Sequence, residues 1–334
     1  MADTRPLVPV IVGPTAVGKT AVAAALAGLA PVTVISADAR QVYRGLDIGT
    51  AKPGADVRAL VPHRGVDVAD PGEWYSAGRF AREAAGWIAE ALAAGRQPVV
   101  VGGTGLYVRA LADGLFREPP LDAGRREVLR SWTGALPAPD VVRWAARLDA
   151  RFAGGGRQRA ARAIEVALLT GRSLSWWQRE ARATGPMRPW YIRLTLPRET
   201  LRRRIADRVD RMLADGLVDE VRGALARGVP ADARGLDGVG YREVVALLQG
   251  RLPAAQLRDA IVVATRRYAK RQETWFRHQL SAVSHQPSAV SHQSSVVSHQ
   301  WETVWTLDAT ASPDVLAAEI LARWQSVSAL VADS

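Results

Sequence analysis

The most explicit chemistry in this chain lies between Val8 and Thr20, which reads Val-Pro-Val-Ile-Val-Gly-Pro-Thr-Ala-Val-Gly-Lys-Thr. A β-branched run feeds a Gly-x-x-x-x-Gly-Lys-Thr turn, and an alanine-rich helical segment, Ala21 to Ala30, follows at once. Gly13 and Gly18 let the backbone curl so that successive N–H groups point inward. With the positive end of the following helix they form a cradle for phosphate oxygens. Lys19 adds a mobile point charge and Thr20 a hydroxyl suited to Mg2+. Of the 44 lysines and arginines only Lys19, Lys52 and Lys270 are lysines, so a lysine held at 19 against that bias points to a need for lysine.

Other residues could serve such a cradle. Asp38 follows the apolar run Pro31 to Ser36, and residues just past the carboxyl ends of parallel strands face the ligand crevice. Its carboxylate either serves a metal or a proton there, or caps an Asx-turn or helix. Thr104, in Gly-Gly-Thr-Gly-Leu-Tyr, either bonds a phosphate or substrate or caps the next helix. Arg204, Arg208 and Arg211 fall at i, i+4 and i+7, where like charges repel unless something negative faces them. A diphosphate or nucleic acid backbone would do so; the alternative is a solvated face shared with Asp207 and Asp210. In Thr265 to Arg277, Arg266 pairs with Lys270 and Arg267 with Arg271 at the same spacing, interleaved with Tyr268 and Trp275. That is a nucleic-acid surface in physical terms, unless the aromatics form the helix's core face.

The elements that must position these groups are those of an α/β protein. Strands are expected at 8–12, 31–36 and 98–101, each short, apolar and followed by a turn and helix, as in a P-loop NTPase-like parallel sheet. A helix over 74–94 buries Phe80, Trp87, Ile88 and Leu92. Residues 1–118 form the first part of this core, and 119–187 read as a helical insertion domain rich in Arg and Trp. The core returns over 188–280, with a strand at 190–196, a helix at 198–214 and a long basic helix from Pro253 to about His278. Residues 281–300 repeat Ser-Ala-Val-Ser-His-Gln with little apolar content, which reads as a flexible low-complexity insertion, and more simply so than as a metal site on His285, His292 and His299. Residues 301–334 read as a final strand and helix that complete the sheet.

Composition narrows the partner. A net charge of +11 with 11 tryptophans favours a polyanion, nucleic acid first. The absence of cysteine removes disulfides, thiolate metal sites and cysteine nucleophiles. No apolar run approaches membrane-spanning length, so a cytoplasmic protein with no membrane partner is expected.

Taken in order, Gly-Pro-Thr-Ala-Val-Gly-Lys-Thr, Ile-Ser-Ala-Asp-Ala-Arg-Gln-Val-Tyr, Asp-Ile-Gly-Thr-Ala-Lys-Pro, Val-Gly-Gly-Thr-Gly-Leu-Tyr, Gly-Val-Gly-Tyr-Arg and Ala-Thr-Arg-Arg-Tyr-Ala-Lys-Arg-Gln-Glu-Thr-Trp-Phe-Arg closely resemble the bacterial tRNA dimethylallyltransferases. The resemblance implies transfer of a dimethylallyl group from its diphosphate to N6 of the adenosine next to the anticodon, position 37 of tRNA. It implies Gly13, Pro14, Thr15, Ala16, Val17, Gly18, Lys19 and Thr20 around the diphosphate, with Mg2+ on Thr20. It assigns Asp38 to the adenine N6 and its proton, and Thr104 and Arg204 to the diphosphate. The tRNA contacts it implies are Asp38, Ala39, Arg40 and Gln41; Gln158, Arg159 and Arg162; Gly238, Val239, Gly240, Tyr241 and Arg242; and Lys270, Arg271, Gln272, Trp275 and Arg277. A monomer with no obligate protein partner is expected. The chain departs from the family at Gly155 and Gly156, where an Asn-Asp pair is usual, and in the repeat. The rivals are a P-loop kinase of a small metabolite, prenyl transfer to a free adenine nucleotide, and a non-catalytic RNA-binding protein.

Overall fold

The computed structural model describes residues 3–116, 121–181, 183–284 and 304–332. The chain divides into two compact units, one made of Met1–Ala112 with Pro186–Ser334 and the other of Asp113–Gly185.

The first unit is built on β1 (Leu7–Val12), α1 (Lys19–Leu29), β2 (Val32–Ser36), α2 (Ala55–Leu60), β3 (His63–Arg64), α3 (Ala77–Ala93), β4 (Gln97–Gly102) and α4 (Gly105–Ala112). Strands of five or six residues with both faces covered are mostly apolar, and β1, β2 and β4 are buried almost end to end. Ser76 stops α3 three residues short of the expected start, accepting a hydrogen bond from Arg79 N at 3.1 Å as its N-cap.

The second unit contains α5 (Ala123–Ala135), α6 (Ala138–Leu148), α7 (Arg157–Thr170) and α8 (Leu174–Glu180). Val141, Ala145, Ala160, Ala163, Ile164, Val166 and Leu174 form its core. Within it the buried Glu165 carboxylate meets Arg126, Arg130 and Arg162. Burial alone would raise this carboxyl's pKa, but the surrounding guanidinium groups lower it below the usual carboxylate range.

The chain returns to the first unit in β5 (Arg188–Thr195), α9 (Arg198–Ala214), α10 (Leu217–Ala226), α11 (Tyr241–Leu248), α12 (Leu257–Ser284), β6 (Val304–Asp308) and α13 (Pro313–Ala332). All six strands are parallel in the order β3-β2-β4-β1-β5-β6. The edge strand β3 and helix α2 were not expected from the sequence. A two-residue edge strand carries no periodicity, and its partner β2 supplies the pairing. β6 pairs with β5 at the opposite edge, Leu194 beside Leu307, so the terminal segment does complete the sheet. Trp190 lies against Trp305 and Trp324, with ring centroids 6.0 and 5.6 Å apart, sealing this end of the core. Most of the repeat, from residue 285 on, lies outside the described residues, as do the side chains of 281–284. Among the described residues no helix is long and apolar enough to cross a membrane.

Candidate active site

The carboxyl ends of β1, β2 and β4 meet at one edge of the sheet, and the loop between β1 and α1 takes the shape its glycines permit. Gly13 has φ 149° and Gly18 φ 110°, and Ala16 is also left-handed at φ 65°. A Cβ at Gly13 would stand 2.6 Å from Leu194 O of β5, so the loop lies directly on that strand. Helical geometry leaves the amides of the first turn of α1 without intrahelical acceptors, and they open into the loop. Lys19 folds back over it, donating to Gly13 O at 3.0 Å and Pro14 O at 2.8 Å. Burial depresses its pKa to about 8; the charge of Asp38 opposes the shift and that of Arg208 adds to it.

Asp38 stands just past β2. Its Oδ1 accepts from Arg40 N at 2.8 Å, so the Asx-turn is present, while its charge acts on Lys19, Arg208, Tyr107 and Tyr268. The turn therefore coexists with an electrostatic influence on the neighbouring cations in one carboxylate. Thr104 Oγ1 accepts from Ala39 N at 3.0 Å. A Cβ on Gly102 would lie 2.2 Å from Ala37 O, which is why the turn after β4 can press this closely against the end of β2. Tyr268, on α12, lies near Thr104; burial and the Asp38 charge push its pKa up to about 12 and keep it neutral.

Helix α9 supplies the positive wall. Arg204 reaches Val17 O at 3.3 Å and Ala309 O at 3.4 Å. Arg208, one turn on, is depressed below the usual arginine pKa by burial, and Asp38 partly offsets this. Arg211 instead turns to solvent and donates to Asp207 O, and Asp210 pairs with Arg258 at 2.6 Å. The arginine row is thus split: two members face the cradle and the third belongs to a solvated face. Arg208 was visible in that i, i+4 spacing but carries no role in the family assignment above.

The remaining expected residues fall into four groups. Lys270, Arg271 and Arg277 project from the exposed side of α12, and a groove of about 630 Å³ runs along Arg267, Lys270, Arg271, Thr274, Trp275, His278 and Gln279. Gln158 and Arg159 are exposed on α7 of the second unit, where Arg162 pairs with Glu165. Three others are turned inward. Gln41 accepts from Ser36 Oγ at 2.8 Å and donates to Ala51 O at 3.2 Å. Tyr241 is buried and donates to Glu220 Oε1 at 2.7 Å. Gln272, 6% exposed, accepts from Thr15 N at 2.8 Å and donates to Gly103 O at 2.9 Å. Gly238, Val239 and Gly240 lead into α11; Arg40 donates to Arg234 O at 2.7 Å beside them, and Arg242 pairs with Glu243.

No local pattern in the sequence marks Glu220. Its carboxylate accepts from the amides of Asp47, Ile48 and Gly49 at 2.6, 2.8 and 3.2 Å as well as from Tyr241, joining Asp-Ile-Gly-Thr-Ala-Lys-Pro to Gly-Val-Gly-Tyr-Arg. Lys52 holds the same loop from below, buried against Tyr43 O, Asp47 and Asp67.

A family described as IPP transferase matches residues 41–279, and one described as isopentenyl transferase matches residues 6–59. The chain belongs to the IPP transferase family. It is 42% identical over 273 residues to the tRNA dimethylallyltransferase of Geobacter metallireducens, covering 80% of this chain and 88% of that one. It is 44% identical over 284 residues to tRNA dimethylallyltransferase 1 of Syntrophotalea carbinolica, covering 82% and 89%. Among solved structures it resembles the full-length tRNA isopentenylpyrophosphate transferase of Bacillus halodurans, with TM-score 0.67, 31% identity, and 98% and 99% of the two chains covered. It also resembles a eukaryotic dimethylallyltransferase acting on tRNA, with TM-score 0.72, 25% identity, and 91% and 74% covered.

Proposed function

We propose that this chain transfers a dimethylallyl group from dimethylallyl diphosphate to N6 of the adenosine next to the tRNA anticodon, releasing diphosphate, and that it acts as a cytoplasmic monomer. The observation that carries this reading is one carboxylate, Asp38, at the carboxyl end of β2 beside the Thr104 turn, close enough to the buried Lys19 and Arg208 for its charge to act on both. In this reading the P-loop amides, Lys19, Arg204 and Arg208 hold the diphosphate and absorb the charge that grows on it as the allylic C–O bond breaks. The bonding pair leaves with the diphosphate oxygen, the N6 lone pair forms the new C–N bond, and the N6 proton passes to Asp38. An amine conjugated with a purine is a weak nucleophile, so placing it beside a carboxylate and in line with the allylic carbon is the protein's main contribution.

The residues fit a divalent ion held chiefly by substrate oxygens. Thr20 offers a hydroxyl at the first turn of α1, and among the described residues no group of three His, Cys, Asp or Glu could hold a metal unaided. Mg2+ bound there would supply further charge neutralisation to the leaving diphosphate. Ala39, Arg40, Gly238, Val239, Gly240 and Arg242, the exposed basic residues of α12, and Gln158, Arg159 and Arg162 of the second unit are proposed to meet tRNA.

The test is incorporation of labelled dimethylallyl diphosphate into unmodified tRNA, with AMP and ATP as parallel acceptors, for the natural chain and Asp38→Ala. Label in tRNA that vanishes in the variant supports the reading. Label only in AMP moves the activity to free nucleotide, and no label with any acceptor from folded protein overturns prenyl transfer.

A further inference from the structure

We propose that Gln272 is a positioning residue of the diphosphate cradle, clamping the P-loop to helix α12, and that its side chain is not an RNA contact. The inference rests on the transferase reading above and assigns one of its residues to the other substrate.

Gln272 lies on the inward stripe of α12 with Thr265, Ala269, Phe276 and Leu280, all buried. Lys270, Arg271 and Arg277 lie on the outward side. A polar side chain in such a stripe must be hydrogen-bonded or it destabilises the fold. Here it is satisfied at both ends by the walls of the phosphate site: Thr15 N in the P-loop and Gly103 O in the turn after β4. The site is shaped for it, because a Cβ on Gly103 would lie 2.2 Å from Gln272 Nε2. Two residues on, a Cβ on Gly105 would lie 2.3 Å from the Trp275 ring. The Gly-Gly-Thr-Gly turn is therefore bare where α12 packs on it.

The clamp acts where the P-loop is least comfortable. Thr15 precedes Ala16, whose left-handed φ of 65° a non-glycine residue adopts only when its surroundings hold it there. Gln272 fixes Thr15 on one side while Lys19 holds Gly13 O and Pro14 O on the other. Only a primary amide supplies one acceptor and one donor in the same plane at this length. A carboxylate keeps the first bond but sets an anion against Gly103 O, and a thioether keeps neither. Loss of the clamp loosens the loop that presents amides to the diphosphate and leaves the outward cations of α12 where they were.

The experiment compares the full-length natural chain with Gln272→Met, Gln272→Glu and Lys270→Ala. It measures the affinity for inorganic diphosphate with Mg2+ by calorimetry, the affinity for an anticodon stem-loop RNA, and KM for both substrates. Gln272→Met is expected to weaken diphosphate binding and raise KM for dimethylallyl diphosphate about tenfold, or ~1.4 kcal/mol, with both RNA constants within about twofold of the natural chain. Lys270→Ala is expected to do the reverse. For Gln272→Glu the gap to the natural chain narrows as the pH falls, because a protonated carboxyl regains the donor to Gly103 O; a role confined to packing would show no such pH dependence. A rise in the RNA constants alone, or an equal rise in both sets, overturns the assignment. A natural chain that binds diphosphate but prenylates nothing would instead overturn the transferase reading and leave the clamp standing.

Discussion

Tyr241→Phe isolates one bond in the Glu220 hub. The phenol donates to Glu220 Oε1 at 2.7 Å, and the same carboxylate accepts three backbone amides from 47–49. Phenylalanine keeps the buried ring against Gly49, where a Cβ would lie 2.5 Å from Tyr241 Cζ, so no cavity larger than a hydroxyl opens. A hydrogen bond to a charged group contributes about 1.5–3 kcal/mol. Because three amides still satisfy the carboxylate, the loss should sit at the low end, about 1.5–2 kcal/mol. Glu220→Gln should cost more, about 3 kcal/mol, since its NH2 confronts donors instead of accepting from them. Denaturant unfolding of both single variants and the double variant forms a cycle, with an expected coupling of at least about 1 kcal/mol. In the transferase assay Tyr241→Phe should raise KM for tRNA a few-fold and leave that for dimethylallyl diphosphate unchanged, because the loops it joins flank the proposed RNA contacts. A Tyr241→Phe protein within about 0.5 kcal/mol of the natural chain, or a cycle without coupling, would refute the reasoning.

Asp38→Asn retains the oxygen that accepts from Arg40 N but not the charge, so single-turnover transfer should fall by about 10²–10⁴ while RNA affinity holds; equal loss of both would make Asp38 a binding residue only. Lys19, depressed to about 8 by burial, is charged in the free chain only below that pH, whereas diphosphate favours the charged form. Diphosphate affinity should therefore fall as pH rises through about 8, and calorimetry in buffers of different ionisation enthalpy should show proton uptake on binding. The same depression means that the unfolded chain holds this proton to higher pH, so Lys19's contribution to stability should rise between pH 8 and 10.5. Lys52→Met strips the buried donor from Tyr43 O, Asp47 and Asp67; because Arg58 still pairs with Asp67 and Asp47 is largely exposed, the chain should lose about 1–3 kcal/mol in urea unfolding.

What the sequence disclosed was whatever local pattern encodes. The P-loop announces itself because its turn, cation and helix start are consecutive, and Asp38 could be placed beside it because a strand's carboxyl end has a fixed place in a parallel sheet. The basic face of α12 was legible for the same reason. Gln272 was read with that face from its neighbours in the motif, although the spacing 265, 269, 272, 276 and 280 already marked an inward stripe. Glu220 was out of reach: its partners are the 47–49 amides about 170 residues away, and nothing in Val-Asp-Glu-Val separates it from an ordinary surface acid. The division of Arg204 and Arg208 from Arg211 likewise depends on what α9 packs against.

The strand order has a consequence for biosynthesis. β1, which carries the P-loop, is central in the finished sheet, yet its β5 neighbour follows β4 only after the whole second unit. At translation rates of about 5–20 residues per second, the apolar flank of β1 waits on the order of ten seconds for its partner to leave the ribosome. Until then it presents an open strand edge of the kind that recruits other nascent chains. The interval is filled by a unit with its own core and its own Glu165 ion cluster, one that can collapse on itself without β5.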